Sequence, residues 1–297
     1  MKKTTNRISV LKTYKLYIGG QFPRTESGRY YAALDAKGNK IANLCLASRK
    51  DCRDAIVSAR NASGSWGMRA AYNRGQILYR IAEMLESRKE QFIAELVWQG
   101  LSRSAAQRET EGAIDRLIYY AGWCDKYQAI FSTVNPVASN HYNFSVCEPM
   151  GVVVLFAPES PLLGLISVLA PCIAGGNTAV VLAHQAKALA AVSLAEVLNS
   201  SDVPAGVVNI LTGNNEELMP WLAEHKDVNA ILYTEKEPSI LTALRKKATG
   251  NLKRVIHWPI QRWLDASAQS PYRITDLQEI KTTWHPIQQI AGSGSSY

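Results

Sequence analysis

The sequence predicts an α/β protein built on a doubly wound parallel sheet, and three observations carry that prediction. Five short runs rich in β-branched residues, Val152–Ala157, Thr178–Leu182, Val207–Leu211, Asn229–Tyr233 and Arg254–His257, follow one another at regular spacing. Helix-length segments starting near Pro161, Lys187, Asn215 and Glu237 separate them. Parallel strands need such long crossovers, whereas antiparallel neighbours can be joined by a tight turn. The chain has 297 residues, 47% of them hydrophobic. That is enough core for one large domain or two small ones.

Before the sheet, YKLYIGGQFPRTESGRYYAALDAKGNKIANLCLAS alternates apolar and polar residues around turn signals at Gly19-Gly20, Ser27-Gly28 and Lys37-Gly38-Asn39. This reads as short hairpin strands. Ser48 is placed to cap a helix over residues 50–62. Residues 72–99 put Ile77, Leu78, Ile81, Met84, Leu85, Phe92, Ile93 and Leu96 on one stripe, which predicts a single helix ending at Gly100. Another helix is expected over 104–131, and a strand over HYNFSVCEPMG from residue 141. After Trp258 a segment rich in Gln, Ser and Pro leads to ITDLQEIKTTWHPI, where Lys281 and Thr283 alternate against Ile280 and Thr282. A strand without a sheet of its own must pair elsewhere. The tail AGSGSSY is expected to be disordered.

Composition excludes several function classes. No apolar run reaches membrane-spanning length, and the lysines near the N-terminus have no apolar signal region behind them, so a cytoplasmic protein is expected. The net charge of +8 is spread over the chain in short clusters such as Arg245-Lys246-Lys247, without aromatic interleaving, so nucleic acid is not the expected partner. Five cysteines, Cys45, Cys52, Cys124, Cys147 and Cys172, form no CxxC, and five histidines stand singly, so neither a disulfide framework nor a metal site is expected. No GxGxxG or Walker loop is present, and Thr212-Gly213-Asn214-Asn215 is only a weak phosphate-loop candidate. Cys147 and Cys172 read as packing residues.

The loop leaving the first parallel strand, in LFAPESPLLG, is where such sheets hold ligands. Glu159 and Ser160 are an acid and a hydroxyl there. Ser160 before Pro161 is equally what a helix start requires, a capping oxygen followed by proline.

KLYIGGQFPRTESGRYY, EPMGVV at 148–153, APCIAGGNTAVVL at 170–182 and VPAGVVNILTG at 203–213 occur in this order. Together they resemble the N-terminal and cofactor-binding regions of the aldehyde dehydrogenase superfamily, most of all the truncated second domain of the family-sixteen enzymes. The resemblance implies a Rossmann-type sheet with N-terminal strands and helices, a β-strand oligomerisation arm, and NAD or NADP chemistry with a cysteine nucleophile, a glutamate base and an oxyanion-binding asparagine. Where the family has that asparagine in a Pro-Trp-Asn loop, this chain has Pro158-Glu159-Ser160-Pro161. The family's ribose-holding Lys-Pro-x-Glu is here Ala183-His184-Gln185-Ala186, and its Phe-Thr-Gly-Ser is Tyr233-Thr234-Glu235-Lys236. The cysteine and glutamate motifs of a catalytic domain do not occur after residue 250, whereas YRITDLQEIKTTWHPI is similar to the family's C-terminal strand.

The expectations are therefore a cofactor-binding-like domain over 1–258, with an arm strand about 137–150 within it, a linker and oligomerisation strand over 259–291, and a disordered tail over 292–297. No catalytic residue is assigned, Glu159 and Ser160 marking a degenerate loop. Pro158, Ala183, His184, Gly213, Thr234 and Glu235 are vestigial cofactor positions, with no cofactor expected, or NAD or NADP if any. A non-catalytic protein is expected to assemble with itself or with a full-length aldehyde dehydrogenase through strands near 141–150 and 277–287. The alternative is an NAD(P)-dependent oxidoreductase completed by a partner subunit, using Cys147 or Ser160. Binding of RNA or DNA is a third and weaker option.

Overall fold

A computed structural model describes residues 10–259 and 262–287. Three short strands open the chain: β1 (Thr13–Tyr14), β2 (Tyr30–Leu34) and β3 (Lys40–Cys45), with β2 and β3 forming the expected hairpin and β1 parallel to β3. Helix α1 (Arg49–Gly67) begins where Ser48 predicts. The Asp51 N–H donates to Ser48 Oγ and the Ser48 N–H to Asp51 Oδ2, a reciprocal capping box, and the helix runs a turn longer than expected.

The single helix expected over 72–99 is two, α2 (Ala71–Ser87) and α3 (Lys89–Trp98), broken at Arg88, where φ −108° and ψ 12° leave the helical region. The Arg88 guanidinium is spent holding Gln91 and Glu196, which fixes the bend. The helix expected over 104–131 likewise divides into α4 (Arg103–Ala121) and α5 (Tyr127–Phe131), with turns from Gly122 between them.

The strands β4 (Thr133–Asn135) and β5 (His141–Pro149) precede the main sheet. That sheet comprises β6 (Val152–Phe156), β7 (Thr178–Leu182), β8 (Val208–Leu211), β9 (Ala230–Tyr233) and β10 (Arg254–His257), alternating with α6 (Leu163–Ala174), α7 (Leu189–Asn199), α8 (Asn215–Glu224) and α9 (Pro238–Ala248). All four pairings are parallel, in the order β10-β9-β6-β7-β8, as the alternation of runs and helices predicts. Strand β6 is buried on both faces. Val153 and Leu155 join the core of α2, α4, α6 and α7, and Val152, Val154 and Phe156 the core of α1 and α8. Both sides being covered is why these runs read as continuously apolar.

The segment expected to be a linker after residue 258 is instead a packed strap. Trp263, Ala268, Ile274 in the short α10 (Tyr272–Thr275), and Leu277 are buried. Arg116, only 4% exposed on α4, donates to the carbonyls of Trp263 at 2.8 Å and Ala268 at 3.1 Å and to Ser167 Oγ at 2.6 Å. Strand β11 (Gln278–Pro286) then runs antiparallel to β5 over its whole length, so the late strand finds its sheet in the order β11-β5-β4. Asn177 ties this arm to the core: its Oδ1 accepts from the Gly151 N–H and its Nδ2 donates to the Leu277 carbonyl. The expected disordered tail lies outside the described residues. Among the described residues no helix is long and apolar enough to cross a membrane.

Candidate functional site

The strand order reverses at β6. Its crossover through α6 leads to β7 on one side, while β9 lies on the other, and ligands in such sheets bind at this switch point beyond the carboxyl ends of the strands. The loop after β6 and the loop after β9 meet there. The Glu159 N–H donates to Glu235 Oε1 at 3.3 Å. Pro158, Glu159, Ser160 and Glu235 line one cavity of about 360 Å³ with Glu109, Lys187 and Trp263. Sequence reasoning therefore brings together the right two loops but misses three of their neighbours.

Glu109 decides the chemistry of this loop. From α4, its Oε1 accepts the Ser160 hydroxyl at 2.6 Å and the backbone N–H groups of Leu163 at 3.1 Å and Leu162 at 3.3 Å. Ser160 Oγ in turn accepts the Gly164 N–H at 2.9 Å. The Ser160 hydroxyl thus serves the helix start, but not as the expected N-cap with proline at N1: the helix begins at Leu163 with Leu162 at the N-cap, and Pro161 lies before it, because a second oxygen, from Glu109, takes the intervening donors. A carboxylate at a helix N-terminus is well placed electrostatically, and here it fills the position in which an external anion would otherwise be held. Gly164 permits the arrangement, since a Cβ there would lie 2.6 Å from Pro158 Cγ.

Glu159 is paired with Lys187 Nζ at 2.8 Å, and this hydrogen bond holds its carboxyl below the usual range. His184 lines a second cavity, of about 270 Å³, between α8 and α9. Burial pushes its imidazole down, against the opposing pull of Glu159 and Glu235, so it is neutral at physiological pH. Ala183 and Thr234 are buried at strand ends. Gly213 lines neither cavity. A Cβ on it would meet Leu218 Cδ1 at 2.7 Å, which makes this glycine a packing requirement of the β8–α8 turn.

All five cysteines are buried and reduced. Cys147 sits on the arm strand opposite Ile280, away from the crevice lining, and burial raises its thiol. Burial pushes Cys52 and Cys124 up from 9.0 to about 12, so the folded chain keeps protons that the unfolded chain loses. Stability is therefore expected to fall as pH rises through 9–12, by about 1.4 kcal/mol per pH unit for each thiol. Lys253, pushed down to about 8 by burial, opposes this only below its usual 10.5. Urea melts across this range should show a shallower alkaline limb for a Cys52→Ala/Cys124→Ala variant, and an unchanged limb would refute the assignment.

A model of the aldehyde dehydrogenase family matches residues 24–257. The chain belongs to the aldehyde dehydrogenase family. Cytosolic 10-formyltetrahydrofolate dehydrogenase of Xenopus tropicalis is 33% identical over 262 residues, covering 86% of this chain but 29% of that protein. An aldehyde dehydrogenase of Aspergillus niger is 30% identical over 256 residues, covering 85% of this chain and 51% of its own length. Among solved structures, HpcC of Thermus thermophilus superposes with a TM-score of 0.79 at 25% identity, over 82% of this chain and 48% of that one. The NAD+ complex of a Bacillus cereus aldehyde dehydrogenase does so with a TM-score of 0.78 at 23% identity, over 82% and 50%. This aldehyde dehydrogenase-family chain thus spans about half or less of the length of these relatives.

Proposed function

We propose that the chain acts by assembly and not by catalysis, pairing with a second copy or with a full-length aldehyde dehydrogenase through the β4-β5-β11 sheet. The observation that carries this reading is the β5–β11 ladder. It is a nine-residue pairing that leaves β11 at the sheet edge, paired on one side only among the described residues. An open edge offers a row of backbone donors and acceptors to another strand. Ile280 and Trp284, each 58% exposed on one face of β11, add apolar area to it.

The crevice supports the non-catalytic half of the reading. The Ser160 hydroxyl is committed to Glu109, the thiols are buried, and no asparagine stands in the loop. The residues present do not fit a dinucleotide. Glu235 and Glu237 precede α9 where the resemblance places a pyrophosphate, and Ala183 and Ala186 replace the ribose-holding pair. Carboxylates facing phosphates repel them, and neither alanine can hydrogen-bond a hydroxyl.

Mass measurement at micromolar concentration, alone and mixed with a full-length aldehyde dehydrogenase from the same source, tests the proposal. A dimer or a mixed complex is the expected result, weakened about tenfold or more by Ile280→Ser/Trp284→Ser. A monomer in both samples would overturn it. Heat on titrating NAD or NADP would instead favour an oxidoreductase completed by a partner.

A further inference from the structure

We propose that the apolar pocket between α8 and α9 binds a small arylalkyl amine, a flat apolar body with a cationic head, in place of a nucleotide. The pocket encloses about 270 Å³, and its walls include Phe156, Met219, Pro220, Tyr233, Ile240 and Leu244. Phe156 and Tyr233 meet edge to face at 6.4 Å, presenting aromatic surface to a flat guest. Such a volume with apolar walls and few polar groups is the usual form of a small-molecule site.

The polar groups at the mouth select the sign of the head group. Glu216 and Glu235 both line the pocket, and neither has a salt-bridge partner among the described residues. One cation, Lys247, is in the lining but paired with Glu224, and Lys187 close by is paired with Glu159. His184 is held neutral by its burial. Asn215, also in the lining, has a buried Oδ1 that accepts no hydrogen bond. An ammonium brings three donors and no acceptor, so it answers both the carboxylates, which lack a cation, and the orphaned amide oxygen. An anion of the same shape meets repulsion from both carboxylates and leaves Asn215 without a donor. The inference is independent of the assembly reading, since one is read by heat of binding and the other by mass.

Calorimetry on the full chain at neutral pH and low salt tests it with tryptamine as the probe and indole-3-acetate and NAD+ as controls. Tryptamine should bind saturably at concentrations up to about 5 mM, with indole-3-acetate weaker by about tenfold or more and NAD+ silent. The preference should shrink with added salt. Glu216→Gln/Glu235→Gln should lower tryptamine affinity about tenfold and narrow the discrimination between the two indoles. Ala243→Trp, which fills the pocket from α9, should abolish binding, and a thermal melt reports whether that variant folds. Absence of tryptamine binding, equal or tighter binding of indole-3-acetate or NAD+, or a carboxamide double variant that binds tryptamine unchanged would each overturn the proposal.

Discussion

Arg116→Met is expected to destabilise the chain by about 3 to 5 kcal/mol, because hydrogen bonds from a buried charged group are strong and their loss leaves buried acceptors unpaired. Three acceptors are orphaned at once: the Trp263 and Ala268 carbonyls and Ser167 Oγ, although the last also donates to the Leu163 carbonyl. Methionine keeps the apolar stem and removes only the fork, so the loss reports the hydrogen bonds and not a cavity. Lysine should rescue little, since one ammonium cannot reproduce the spread geometry of a guanidinium. Urea denaturation gives the magnitude. Limited proteolysis should show new cleavage within 262–271, because the strap loses the group that pins its backbone. A loss under about 1 kcal/mol with the strap still protected would mean that the buried Trp263, Ile274 and Leu277 hold it without help.

The second large effect is expected at Asn177, which is fully buried. Alanine there removes the acceptor of the Gly151 N–H and the donor to the Leu277 carbonyl, at a cost of about 2 to 4 kcal/mol. Aspartate keeps the shape and the acceptor but replaces the donor by a charge with no cationic partner among its bonded groups, so it should do no better than alanine. Because Leu277 immediately precedes β11, the same substitution should raise amide exchange along β5 and β11 more than along β7. Equal protection of the arm in both proteins would show that the β5–β11 ladder is anchored by its own pairing and by its other ties, among them Gln278 Nε2 to the Gly175 carbonyl, Arg254 to the Gln278 carbonyl and Gln128 to the Cys147 carbonyl.

Much of the fold is written in local patterns, and what the patterns omit has a common cause. The five parallel strands are legible because burial on both faces of β6 to β9 leaves mostly apolar, β-branched residues acceptable there while the edge strand β10 keeps the spacing, and Ser48 is legible because its partner Asp51 is three residues away. The break at Arg88 is invisible, since Phe92, Ile93 and Leu96 continue the stripe of Ile77, Leu78 and Ile81 nearly in phase. The strap looks like a linker because its attachment is made by backbone carbonyls, which any residue supplies, to an arginine on a distant helix. Glu109 carries no signal of its own in a helix with many charged residues, and it meets Ser160 across 51 positions. The strand ends therefore locate the crevice, whereas its contents arrive from elsewhere in the chain and leave no local signal.

The strap also sets an order of events during synthesis. Arg116 waits for Trp263 and Ala268, 147 and 152 residues downstream, and β5 waits for its partner strand at the far end of the described chain. Until those residues have left the ribosome, a helix that is already made carries a guanidinium with Ser167 Oγ but without its two carbonyl acceptors, and the arm strand carries an unpaired edge. Closing such distant contacts is slow and leaves apolar surface exposed meanwhile. The segment from Trp263 to Pro286 thus completes the body formed by the described residues, and a nascent chain stopped before residue 268 is expected to expose apolar surface that chaperones bind.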